Sequence, residues 1–405
     1  MKPCFVLVVC GRANHVRELH AALAALRRHS RADILVVTDS RRNESPVVWP
    51  DVIDVATPSH LDHHQASICL KTQVHRLVPP GRRYCYLDSD VFATGPEADE
   101  IFTCRNTPVA FAADQICLNQ FSPHAVRCGC AEANAAERRE LAAMLAEAYP
   151  LSYAAAQAGP KSGWTPGDFE SNAARAFVRW RAYLAHRLTP ASASQRGDSD
   201  TARWRAYWFE SHALTLREPE HVAAFVERTT AWRRDRRRQS WISPAGNDVF
   251  NVSCDHLAAA IRDTFGIVVN RPRWRHWNGG VFLFDERGHA FLDAWHAKTM
   301  RIFELPAWRT RDQGTLVATA WEHGLERQRL LPSRFNCILD PSVGATMATQ
   351  SGNAVTTDAF LTTVRPALAH VLRKAGDSTW PVWRWVDARA SGDVSRPSGD
   401  TNPPE

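Results

Sequence analysis

The chain has 405 residues, 44% of them hydrophobic and 23% charged, a globular composition with room for one large or two ordinary domains. Its formal net charge of +6 suits an anionic substrate such as a nucleotide and does not call for nucleic acid. No apolar run approaches membrane-spanning length, and apolar Phe5–Cys10 leads into Arg12 and Asn14 without a small-residue cleavage pattern, so a cytoplasmic protein without a signal peptide is expected.

Residues 1–115 alternate between strand and helix patterns. CFVLVVC (4–10) is a short continuous apolar run, as in a strand covered on both faces. Leu19, Leu23 and Leu26 then repeat at helical spacing within 15–29. ADILVVTDS (32–40) reads as a second buried strand ending in Asp39, and Val52–Val55 as a third. Residues 61–78 read as a helix stopped by Pro79-Pro80, with Lys71 close to the face of Val74 and Val78. That lysine is either turned inward or a snorkelling surface residue. VAFAAD (109–114) is another strand, with Asp114 at its end.

Between them lies RRYCYLDSDVF (82–92), a strand pattern that ends in Asp88 and Asp90 and is followed by a turn over Val91–Pro96. Acids at i and i+2 of an extended chain point the same way, and a divalent cation bound to phosphate is their natural partner. Strand–helix–strand at these lengths implies parallel pairing with right-handed crossovers and a ligand site beyond the carboxyl ends of the strands. Asp39, Asp88, Asp90 and Asp114 all fall at that end. Neither G-x-G-x-x-G nor G-x-x-x-x-G-K-[ST] is present, so phosphate would be held by a metal and basic side chains.

Residues 116–273 are rich in Ala, Arg and Trp and read as a mostly helical insertion, with helices over 131–148, 172–188 and 220–237 and loops over 159–167 and 189–201. The helix at 172–188 and the basic run at 233–238 fit either contact with an anionic membrane surface, at its inner face, or an ordinary packed helix with a solvated basic face. Ten cysteines are scattered along the chain and read as reduced thiols; Cys128-Gly-Cys130 is their one close pair, and no second pair along the sequence completes a zinc site. From 274 to 387 strand and helix patterns return. Asn278-Gly279-Gly280 leads into a strand over Val281–Phe284, the glycines allowing close backbone approach to a ligand. Asp312 and Gln313 open a helix, where an acid can also be a cap, RFNCILD (334–340) is strand-like, and His370 follows late. The Ser, Gly, Pro and Asp tail at 388–405 reads as disordered.

The order K-T (71–72), YLDSDVF, N-G-G-V-F-L-F, R-x-x-D-Q, R-F-N and a late histidine resembles the metal-dependent GT-A glycosyltransferases, closest to glycosyltransferase family 8, over residues 1–115 and 274–386. The resemblance implies an α/β fold, a GT-A mixed sheet flanked by helices with a large helical insertion, and an enzyme that moves a sugar from a nucleotide sugar, UDP-linked and with retained configuration, to a glycan, protein or lipid-linked acceptor. It implies Mn²⁺ or Mg²⁺ on Asp88, Asp90 and His370; Asp39 near the nucleoside; Lys71 on the donor; Asp114 near the donor sugar; Asn278 and Gly279 lining the sugar site; and Asp312 with Gln313 beside the reacting carbon. Gly279 stands where the family usually has Ser, and the glycine and lysine spacing after His370 is not the family's. Two other classes fit parts of the pattern: a haloacid-dehalogenase-like phosphatase using Asp88 and Asp90, although more than eighty residues precede the motif, and a non-catalytic carbohydrate-binding protein using some of the fifteen tryptophans.

Overall fold

The computed structural model describes residues 1–104, 108–158, 220–236, 240–339 and 366–371. The expectations for 172–188, the loops at 159–167 and 189–201, and the tail at 388–405 lie outside the described residues. The chain divides into two compact units, one of Met1–Ala113, Asn278–His296 and the described residues from Arg329 onward, the other of Asp114–Trp277 and Ala297–Gln328.

The first unit is α/β. Strand β1 (Lys2–Val9) lies between parallel neighbours β2 (Asp33–Thr38) and β4 (Arg82–Leu87); β3 (Val52–Asp54) extends the edge beyond β2. The apolar run of β1 is buried because the strand is central and both its faces are covered. Beyond β4 come β9 (Arg275–Phe284), antiparallel to it, and β6 (Val109–Cys117), giving a mixed six-stranded order β3-β2-β1-β4-β9-β6. Helix α1 (Ala13–His29) buries Leu19, Leu23 and Leu26, as their spacing predicts. A second, three-stranded sheet has the order β10 (Cys337–Leu339), β11 (Leu368–Val371), β5 (Val91–Ala93).

Several expectations change. The helix foreseen over 61–78 is two, α2 (His63–Thr72) and α3 (Val74–Leu77). The Thr72 hydroxyl donates back to the carbonyl of Ile68 at 2.9 Å, and Gln73 leaves helical geometry at φ −99°, ψ 9°. Val91–Ala93 is a strand and not a turn, because its β-forming residues find a partner in distant β11. The turn sits one step earlier, with Val91 N–H bonded to Asp88 C=O at 3.0 Å. Asp88 therefore opens a turn and Asp90 lies within it, and the two do not share the face of an extended strand. Asn278-Gly279-Gly280 lies inside β9 and does not precede it, and Asp114 lies within β6 and not at its end.

In the second unit, α4 (Leu118–Ala125), α5 (Cys130–Ala158), α6 (Glu220–Thr229), α7 (His256–Phe265) and α9 (Asp312–Glu322) carry most of the described chain, and α8 (His289–Ile302) enters it at Ala297. The helix expected over 220–237 stops at Thr229. Hydroxyls of Thr229 and Thr230 bond back to Phe225 and Val226 C=O, and Trp232 turns into a core with Leu141, Ala223, Val226, Trp241 and Val249. Arg233–Asp235, the start of the basic run, pairs antiparallel with Ser240–Ile242 (β7 and β8). No described helix is long and apolar enough to cross a membrane.

Candidate metal centre

The end of β4 is where the first unit concentrates charge. Asp88 is fixed from two sides. Its backbone N–H bonds Gly280 C=O at 2.8 Å, continuing the β4–β9 ladder, and the Tyr86 hydroxyl donates to its Oδ1 at 2.7 Å. Lys71 comes from the last turn of α2, is 9% exposed, and places Nζ 3.2 Å from Asp88 Oδ1 and above the Tyr86 ring. Of its two open readings, the inward one holds.

His370 arrives on β11, whose antiparallel register sets it opposite Val91, just after the turn; Val371 N–H bonds Asp90 C=O at 2.9 Å. Its Nε2 lies 3.3 Å from Asp90 Oδ1, and the donor atoms of Asp88, Asp90 and His370 all lie within 4.8 Å of one another. The structure thus brings together the three residues of the expected ligand set.

Asn336 decides which way the imidazole is used. Its Nδ2 donates to Ala113 C=O at 3.1 Å, so Oδ1 faces His370 Nδ1, 3.0 Å away. Only a carbonyl oxygen is offered there, so Nδ1 carries the hydrogen and the Nε2 lone pair faces the carboxylates. Two carboxylates and one imidazole nitrogen form a mixed oxygen–nitrogen donor set that fits a divalent cation such as Mn²⁺. Electrostatics agree. Burial alone would lower the pKa of His370, but Asp90 and Asp88 outweigh it and raise it. Burial would raise that of Asp90, yet neighbouring His370 brings it below the usual carboxylate range. A cation and a proton would compete for Nε2 of His370 beside these acids.

Gly280 makes the room. A Cβ there would stand 2.7 Å from Asp88 Oδ2, 2.7 Å from His370 Cε1 and 2.9 Å from Asn278 Oδ1, all shorter than side chains tolerate. Asn278 is 6% exposed and its Oδ1 is engaged by Gly280 N–H at 2.8 Å. Sequence reasoning singled out Asn278 and Gly279; Gly280, Asn336 and Tyr86 were missed as site residues, although each lies inside a motif already marked.

Asp39, at the end of β2, is buried with both oxygens held: Arg41 by two contacts of 3.1 and 3.2 Å, Thr57 N–H and Oγ at 2.8 and 2.6 Å, and Arg42 at 3.4 Å. Burial opposes its charge, but Arg41 and Thr57 prevail and keep it far below the normal carboxylate range. Its carboxylate is committed to these partners, and exposed Arg41 is the group it presents.

In the second unit, Gln313 Nε2 donates to Asp114 Oδ2 at 3.0 Å, and Asp312 is the first residue of α9, 8% exposed, with Arg311 and not Asp312 at the cap position. His276 was not foreseen. It is fully buried against Phe121, with ring centroids 4.1 Å apart, and both its nitrogens lack a hydrogen-bond partner among the described residues. Burial pushes its pKa down to about 4, against the charges of Asp114 and Asp312, so the ring is neutral.

The fold and site together define an α/β protein with an Asp-x-Asp-His cluster, of a donor set able to hold a divalent cation, at a strand's carboxyl end. No protein-family model matches the sequence, and no curated protein matches it. Solved glycosyltransferase structures align over nearly the whole chain: the bifunctional WbbM (10% identity, 96% of this chain and 51% of that one, TM-score 0.40), GlyE of Streptococcus pneumoniae TIGR4 (10%, 96% and 60%, 0.38), and the galactosyltransferase LgtC in complex with donor and acceptor sugar analogs (10%, 98% and 98%, 0.37). The chain spans about half of the first and three fifths of the second. Likenesses at these scores assign no activity.

Proposed function

We propose that this protein is a metal-dependent glycosyltransferase that takes a nucleotide sugar, UDP-linked on the resemblance, and moves the sugar to a hydroxyl of a glycan, protein or lipid-linked acceptor. The observation that carries this reading is the convergence of Asp88, Asp90 and Nε2 of His370 beside buried Lys71. Those three ligands would hold Mn²⁺ or Mg²⁺, which when bound supplies Lewis-acid charge to a diphosphate leaving group. Lys71 offers a fixed ammonium for a phosphate oxygen, and Tyr86 and Asn336 hold Asp88 and His370 in place. Asp39 acts toward the nucleoside through Arg41, which it orients. Asn278 and Gly279 are assigned to the sugar, with Gly280 keeping the approach open.

For the second unit the roles implied by the resemblance are kept as proposals. Asp114, held by Gln313, serves the donor sugar; Asp312 and Gln313 stabilise positive charge at the reacting carbon. With retained configuration no strong protein base is required, because the departing phosphate can take the acceptor proton. NMR of the product anomer checks this: an inverted product would instead make Asp312 the base.

The phosphatase alternative is less favoured because a histidine, and not a further carboxylate, completes the acid pair. Calorimetric titration of UDP in Mn²⁺ and in EDTA, with Asp90→Asn beside the parent chain, tests the proposal. Binding that needs the metal and is lost in the variant supports it. Failure of UDP and every other nucleoside diphosphate to bind in Mn²⁺ removes it, and also leaves a plain carbohydrate-binding protein standing.

A further inference from the structure

A second cluster of metal-ligating side chains lies in the helical unit. Along the sequence, Cys128 and Cys130 have no partner pair; the fold supplies one. Cys254 and His256, on the loop entering α7 and its first residue, meet Cys128 and Cys130 at the junction of α4 and α5, with all four donor atoms within 4.8 Å of one another. We propose that Cys128, Cys130, Cys254 and Nδ1 of His256 form a structural Zn²⁺ site, independent of the Asp88–Asp90–His370 centre and of the reaction assigned to the protein.

Two of the six donor–donor edges match those of a tetrahedron around zinc, one between sulfurs and one between sulfur and nitrogen. With Zn–S near 2.3 Å, a tetrahedral S···S edge is about 3.8 Å, and Cys128 Sγ lies 3.8 Å from Cys254 Sγ. With Zn–N near 2.05 Å, an S···N edge is about 3.6 Å, and Cys130 Sγ lies 3.6 Å from His256 Nδ1. The two sulfurs at 3.8 Å are well beyond disulfide bonding distance, which is about 2.0 Å. The ligand set, three thiolates and one imidazole, is closed and leaves no position for substrate, which is the pattern of structural and not catalytic zinc.

Local structure prepares the site. Gly129 takes φ +77°, a left-handed turn that lets Cys128 and Cys130 face the same point across one residue. Ser122, on α4 and 1% exposed, accepts Leu257 N–H at 2.8 Å, which leaves its own hydroxyl hydrogen for Cys254 Sγ at 3.1 Å. A donor aimed at a sulfur favours thiolate and fixes the ligand's orientation. Cys254 N–H also bonds Asn119 C=O at 2.9 Å, so both sides of the cluster are anchored to α4. Zinc here would clasp α4, α5 and α7, elements with more than a hundred residues of chain between the two ligand pairs. Binding releases the thiol protons, so the site strengthens as pH rises.

The full chain, purified under reducing conditions without added zinc, is analysed by elemental mass spectrometry and then reloaded with Co²⁺. One equivalent of zinc per chain is expected, retained in Asp90→Asn and absent in Cys128→Ser/Cys254→Ser. Co²⁺ should give sulfur charge-transfer and intense tetrahedral d–d absorption. If the double variant fails to fold, Ser122→Ala serves: zinc affinity in a competitive chelator titration should fall roughly 10- to 100-fold with folding intact. Less than a tenth of an equivalent of zinc with no cobalt–thiolate band overturns the site, as does a Cys128–Cys254 disulfide in the reduced-purified protein. Zinc lost in Asp90→Asn but kept in the cysteine variant would place the ion at the other centre and likewise overturn it.

Discussion

Gly280→Ala adds one methyl group to the most confined point of the metal centre. The new carbon would lie 2.7 Å from both Asp88 Oδ2 and His370 Cε1 and 2.9 Å from Asn278 Oδ1, when ordinary contact needs at least 3.4 Å. The backbone cannot yield cheaply, since β9 is laddered to β4 through Leu87–Val281 and through Gly280 C=O to Asp88 N–H. The side chains must move, by about 0.5 to 0.7 Å each, and two of the three belong to the proposed ligand set. Overpacking of this kind costs about 1–3 kcal/mol of stability, and sub-ångström misplacement of a constellation lowers its function by up to about 100-fold. The variant should stay folded with a lowered urea midpoint, and Mn²⁺-dependent UDP affinity should fall about 10- to 100-fold by calorimetry. Affinity unchanged in a folded Gly280→Ala protein would refute the claim that Asp88 and His370 act together as ligands.

Asn336→Leu removes the acceptor that holds the Nδ1 hydrogen of His370 and should weaken Mn²⁺ binding roughly 10- to 100-fold, read by electron paramagnetic resonance of free Mn²⁺; equal affinity means the tautomer is set elsewhere. Lys71→Met removes a cation that competes with Mn²⁺ for Asp88, so metal affinity should hold or rise while UDP affinity drops about 10-fold or more; parallel losses in both would show that the lysine only supports folding. Because Asp90 and Asp88 raise the pKa of His370, a proton competes with Mn²⁺ for Nε2, so Mn²⁺ affinity should decline as pH falls toward and below the normal histidine range, and a flat profile from pH 5.5 to 8 would exclude His370 as a ligand. His276 is buried and His296 half-buried, and desolvation pushes both pKa values down to about 4, below their unfolded value. The unfolded chain therefore takes up the protons first, and stability present above about pH 6.5 is lost as pH falls toward 4, by up to a few kcal/mol; His276→Phe should shallow that decline in urea midpoints, and an unaltered slope would contradict the assignment.

Asp88 and Asp90 were legible because an aromatic strand pattern ended on them, yet the physical reason differs from the one the pattern supplied. A turn, and not strand alternation, brings their carboxylates together. Lys71 was legible as a position on a helix, but its direction depends on where α2 crosses the sheet, which no local pattern encodes. His370 came only from resemblance, since its role requires β11 to pair with β5, a contact between distant parts of the chain. For the same reason Gly280 could not be separated from Gly279: the register of β9 against β4 decides which glycine faces the acids. Cys254 and His256 had no recognisable spacing to Cys128 and Cys130, because the tie between them is made by the α4–α7 packing and not by a continuous motif.

The pairing of β5 with β11 has a consequence for the order in which the protein can mature during translation. Thr94 is joined to Pro366 across 272 residues by a hydroxyl–carbonyl hydrogen bond, next to the step where His370 meets Asp90. At roughly 5–20 residues per second, the acids leave the ribosome on the order of 15 to 60 s before the histidine does. Throughout that interval the nascent chain holds Asp88, Asp90 and Lys71 but not His370, and β5 presents an open edge that another strand could occupy. A cation arriving early meets an incomplete set of ligands, so firm capture waits until β11 has emerged, and the same late event closes the exposed edge.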